Sequence, residues 1–137
     1  MFKLIKILNT GVNVPEIEKI PCSTQLALDA GTCVLYDVDR GEVCLGDEIE
    51  APAYILAKNV KAGDGYALCY RISPEMVFEV PLIGSPHVVH NGLSLELAIK
   101  SGHGAYAVTD TDGGPAKVYS LDGASKSGDK ILITFNV

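Results

Sequence analysis

The sequence predicts an all-β protein: a small barrel or sandwich followed by a smaller β-hairpin unit. Three observations lead there. Turn signals recur throughout: Asp29-Ala30-Gly31, Asp39-Arg40-Gly41, Gly63-Asp64-Gly65, Asn91-Gly92, Ser101-Gly102, Asp112-Gly113-Gly114, Asp122-Gly123 and Ser127-Gly128-Asp129. The runs between them are short, and apolar or alternating, as strands are. Gly is in excess, at 14 of 137 residues, against an average near 7%. Gly supplies positive φ cheaply, and Asp and Asn bond their own backbone in turns. A short run followed by a tight reversal returns strand beside strand.

The elements follow in order. Residues 2–8 alternate apolar side chains with Lys3 and Lys6, a half-buried strand with lysines in water. Residues 11–15 are a loop, and 16–20 a short strand ended by Pro21. Residues 26–28 lead into a turn. Residues 33–36 and 42–45 flank 37–41 as a hairpin. Residues 53–58 form a strand entered through Pro52. Residues 65–72 are the longest β-rich run and are expected to be central, stopping at Ser73-Pro74. Residues 76–80 resume the sheet, and Pro81 is expected to close it. Residues 93–99 carry apolar side chains at odd positions, a period of two. Leu, Glu and Ala there also suit a helix, but Gly92 and Gly102 bracket the run closely and favour a strand. Residues 106–108, 116–119 and 130–135 complete the set. The expected units are 1–82, a barrel or sandwich with the N-terminal strand, and 83–137, a smaller β unit packed on it. Gly84-Ser85-Pro86 marks the seam.

The 47% apolar content supports a core, and 20% charge is too low for a disordered chain. Net charge is −6 and the basic residues are scattered, which argues against a nucleic-acid partner. No apolar run is long enough to span a membrane. Cys33, Cys44 and Cys69 lie inside apolar runs, and residues 1–8 are too short for a signal h-region. The four cysteines, with Cys22, are therefore expected to be reduced core thiols of a cytosolic product.

Candidate chemistry is sparse. His87 and His90 are three apart, so on a strand they face opposite ways. With His103 they read as loop or surface histidines, and no metal site is expected. The cysteines lack the close pairs of structural zinc. Asp37-Val38-Asp39 and Asp110-Thr111-Asp112 resemble calcium-loop fragments without the rest of the ligand set. Turn geometry explains them. Asp47, Glu48 and Glu50 read as a solvated loop rather than a glycosidic pair. No catalytic residue and no cofactor is expected. An internal echo aligns Gly31, Asp37, Asp39 and Gly41 with Gly104, Asp110, Asp112 and Gly114 at an offset of 73. Shared turn chemistry in two hairpins is the simpler account, and a duplicated β unit the sharper one.

One set of motifs points further: Ala53-Tyr54-Ile55-Leu56-Ala57, then Gly63-Asp64-Gly65, then Leu68 to Val80 with Arg71-Ile72 and Phe78-Glu79. The upstream Leu26 to Thr32 and the ending Gly114 to Gly123 and Gly128 to Phe135 complete it. This order resembles the capsid decoration proteins (cement or head-auxiliary proteins) of tailed phages and prophages, over residues 24–135. The resemblance implies a non-enzymatic structural protein made in the bacterial host cytoplasm. It would sit on the virion capsid surface and bind the major capsid protein, with self-association as a further option. The N-terminal strand departs from the pattern. It is either an arm that adds to a capsid sheet edge or the protein's own edge strand. Candidate capsid contacts are Phe2, Lys3 and Lys6 on that arm, with Asp47 and Glu48 at a rim. The alternatives are a small-ligand or carbohydrate-binding β-barrel and a tail or baseplate component.

Overall fold

The computed structural model describes residues 1–8, 15–46, 49 and 51–136. Its strands are β1 (Lys3–Ile7), β2 (Ile17–Pro21), β3 (Cys33–Asp37), β4 (Glu42–Cys44), β5 (Tyr54–Leu56), β6 (Tyr66–Arg71), β7 (Met76–Ile83), β8 (Ser94–Lys100), β9 (Gly104–Asp112), β10 (Ala116–Ser120) and β11 (Lys130–Phe135). A 3-10 turn covers Pro86–Val88. The all-β expectation holds, and the run expected at 93–99 is a strand rather than a helix, at Ser94–Lys100. Among the described residues no helix is long and apolar enough to cross a membrane.

Five strands close into a barrel. β7 pairs with β11, β11 with β10, β10 with β8 and β8 with β9, all antiparallel. β9 returns to β7 in parallel, at Leu82↔Val108 and Ile83↔Thr109. Alternation along each strand decides what faces inward. Phe78, Val80 and Leu82 on β7, Leu95 and Leu97 on β8, Ala116 and Val118 on β10, and Ile131, Ile133 and Phe135 on β11 belong to one buried cluster. A barrel of so few strands is filled by its own side chains.

β1 pairs with β7, and four further strands extend the sheet from β9. Cys33 of β3 pairs with Ala105, β5 joins β3, β6 joins β5 and β2 forms the edge on β6. This extension is covered on both faces. Cys33 and Ile55 face the barrel cluster, with Tyr70 packed beside them. Val34, Tyr54, Leu56, Ala67 and Cys69 face a second cluster, completed by Cys22, Leu28, Val43 and Val60. That is why Tyr54-Ile55-Leu56 is an unbroken buried run instead of an alternating one.

Several expectations need correction. Pro81 does not end its strand, since β7 continues to Ile83. Successive N–H groups in a strand point to opposite edges. The Leu82 N–H donates to the Asp129 carbonyl on the β11 side, so position 81 faces the other edge. There the β1 pairing ends at Glu79 and the β9 pairing begins at Leu82. Proline sits in that gap and forfeits no ladder bond. β6 is not central, because it lies between β5 and the edge strand β2. The boundary expected at 82/83 falls inside β7, whose partners β1, β9 and β11 come from both sides of it.

The internal echo is not a duplication. β3 and β4 form a paired hairpin, but β9 and β10 both pair with β8, which lies between them. The aspartates also differ. Asp37 Oδ1 accepts from the Asp39 and Arg40 N–H groups and shapes its turn. Asp110 Oδ2 accepts from the Ser85 N–H and fastens the segment after β7. Turn chemistry accounts for Asp37 and for Asp112, whose Oδ1 accepts from the Gly113 N–H, but not for Asp110.

Candidate contact surface

Of the residues expected to touch a partner, Lys3 and Lys6 lie on β1 with exposed side chains. Asp47 and Glu48 lie outside the described residues. Phe2 goes elsewhere. It is 3% exposed, with its ring centroid 5.6 Å from that of Phe135 and 6.4 Å from that of Phe78. Its N–H donates to the Gly31 carbonyl at 2.9 Å. Gly31 has φ of +87°, and a side chain there would press on the Phe2 backbone. The sequence placed Phe2 on an arm because alternation alone does not say what a strand's inner face meets. In the fold β1 is the edge strand beside β7, and Phe2 is a core residue.

The outward positions of β1, β7, β11 and β10 form one face. Lys6 pairs across from Val77, and Lys117 from Thr134. Continuing the Ile133↔Phe78 register by one residue puts Thr134 beside Val77, so Lys6, Val77, Thr134 and Lys117 form a row. The next row holds Lys3, Glu79, Leu132 and Ser120. Lys130 follows, opposite Pro81. Tyr119 sits at a register shift in β10, and the Lys6 ammonium lies 5.0 Å from its ring centroid. The two side chains thus meet above the strands between them, where Val77 is wholly buried. Lys130 Nζ is 3.6 Å from Glu79 Oε1.

Sequence reading missed Lys117, Tyr119 and Lys130. Their alternation marks them as outward, but only the strand order places β10 and β11 beside β7 and β1. The exposed aromatics are all tyrosines: Tyr36, Tyr66, Tyr106 and Tyr119. The three phenylalanines are buried together.

A surface groove of about 380 Å³ is lined by Pro15, Glu16, Glu18, Arg71 and Met76. Its charged groups largely satisfy each other. Arg71 donates from Nε and Nη2 to the two Glu18 carboxylate oxygens, both at 2.9 Å. The pair holds the Glu18 carboxyl below the usual carboxylate range and pushes Arg71 further up. The Arg71 guanidinium also lies 5.6 Å from the Tyr54 ring centroid.

All four cysteines are free thiols. Burial raises each above the ordinary thiol range, Cys69 to about 12. A raised value keeps the reactive thiolate scarce. His87, His90 and His103 are exposed. Among the described residues no three His, Cys, Asp or Glu side chains are grouped to hold a metal ion. No protein-family model matches the chain, and neither does any curated protein.

Proposed function

We propose that this protein is a non-enzymatic structural component of a phage head that binds the outside of the capsid and stabilises it. The supporting observation is a barrel filled by its own side chains beneath a four-strand outer face of lysines and an exposed tyrosine. A cement protein needs a stiff body and one contact face, and it needs no cleft. Each contact can be modest, because avidity across a repeating lattice multiplies it. The order of turns and strands over residues 24–135 supplies the capsid part of the reading, with the major capsid protein as partner and the virion surface as location.

The test is sedimentation of the purified full chain with expanded heads of the phage or prophage whose genome encodes it. Co-sedimentation that saturates at a fixed ratio to the capsid protein supports the reading. A chain that stays in the supernatant refutes it. Binding to isolated tails and not to heads would instead make it a tail or baseplate component.

A further inference from the structure

The outer face of β1, β7, β11 and β10 concentrates positive charge on an acidic protein. Among the described residues its outward strand positions hold Lys3, Lys6, Lys117 and Lys130 against one acid, Glu79. The whole chain has eleven Lys and Arg and seventeen Asp and Glu, for a net charge of −6. The face is therefore net positive where the rest is strongly negative. Glu79 lies across from Lys3 in the strand register, and its carboxylate pairs with Lys130 at 3.6 Å.

Strands about 4.8 Å apart put about 15 Å of sheet, measured around the curved barrel wall, between the Lys6 and Lys117 backbones. Fields are screened over about 8 Å at physiological salt. A patch resting on this face feels its lysines far more than the carboxylates on the opposite side. Between the lysines lie Tyr119, 39% exposed, and half-buried Leu132. An aromatic and apolar centre inside a polar rim is the usual anatomy of a protein interface. A nucleic acid fits less well: it would run past the face and meet the acidic remainder of the chain.

The geometry points to a docking face for an acidic protein surface, whose Asp and Glu side chains meet the four lysines around Tyr119 and Leu132. The identity of that surface, the assembled capsid exterior, rests on the capsid reading, whereas its chemistry rests on the face alone.

The test is an amide NMR titration of the full chain with hexaglutamate, with a short DNA duplex in parallel. Hexaglutamate is expected to shift the amides of Lys3, Lys6, Lys117, Tyr119 and Leu132 most. The combined Lys3→Glu, Lys6→Glu, Lys117→Glu, Lys130→Glu variant should bind it at least about tenfold more weakly. If that variant folds poorly, the four Lys→Gln changes serve, with a smaller loss expected. Shifts centred elsewhere, undiminished binding by a folded variant, or tighter binding of the duplex at this face would each overturn the proposal. A positive titration with failed head sedimentation removes the capsid reading and leaves this docking chemistry. Head binding with a negative titration removes this proposal alone.

Discussion

Replacing Phe2 with Ala separates an arm from a core strand. Phe2 is 3% exposed and its ring lies within 6.4 Å of both Phe78 and Phe135, centroid to centroid. Truncating a buried Phe costs about 3–5 kcal/mol. That range already contains the two aromatic pairs, each about 0.5–1.5 kcal/mol beyond area burial. The Phe2 N–H bond to Gly31 survives in Ala, so the loss is packing alone. A value near 4 kcal/mol is expected, a large part of a typical stability of about 5–15 kcal/mol. With a urea slope of about 2 kcal/mol/M, the unfolding midpoint should fall by about 2 M with the slope unchanged. Lys3→Ala and Lys6→Ala, on the wet face of the same strand, should each stay within about 0.5 kcal/mol of the parent. A midpoint drop below about 0.5 M for Phe2→Ala, equivalent to about 1 kcal/mol, would refute the core placement and return the N-terminal strand to the role of a free arm.

Gly114 lies against the Leu95 carbonyl and the Glu96 backbone, with no room for a Cβ. Gly114→Ala should therefore destabilise by about 2–4 kcal/mol through overpacking at the β8–β10 junction, read by urea unfolding; Gly92→Ala, where a Cβ meets nothing within 4 Å and only positive φ is strained, should cost less. Glu18 is depressed in the fold by its bond to Arg71, so its stabilisation is present above the unfolded carboxylate value of about 4.3 and is lost as pH falls through the folded value. The midpoint gap between the parent and Glu18→Gln should accordingly be open at neutral pH and close in acid; a gap that widens in acid contradicts the pairing. In the native protein an aromatic disulfide reagent at about pH 8, below every raised thiol value, should reach half-buried Cys44 first. Buried Cys33 and Cys69 should react only on unfolding, and mass mapping of the labelled peptides checks the order.

Local signals carried the fold class and most of the strands. The inward residues of β8, β10 and β11 follow the period of two seen in the sequence, and the Asp-Gly turns fall between strands as their chemistry dictates. What local signals could not carry was partnership. Pro81 looked like a stop because a proline removes one donor, but that donor would have faced a gap left by two other strands. Residues 106–108 and 116–119 looked like the strands of a hairpin because they flank a Gly-rich turn. They are separated because β8, earlier in the chain, takes the place between them. The uniformly apolar Tyr54-Ile55-Leu56 run gave no hint that its two faces serve two different clusters.

The candidate surface was legible to the same extent and for the same reason. Lys3 and Lys6 stood out because they interrupt an otherwise apolar N-terminal run. Lys117 and Lys130 did not, since each is an ordinary wet position on an amphipathic strand. Their significance arises only when β7 places β1 on one edge and β11 on the other, and β11 brings β10 after it. Four separate lysines then share one face. A charge-scattered sequence can thus fold into a charge-segregated surface: dispersed basic residues speak against a nucleic acid, which is an extended polyanion, and not against a compact acidic patch the size of this face.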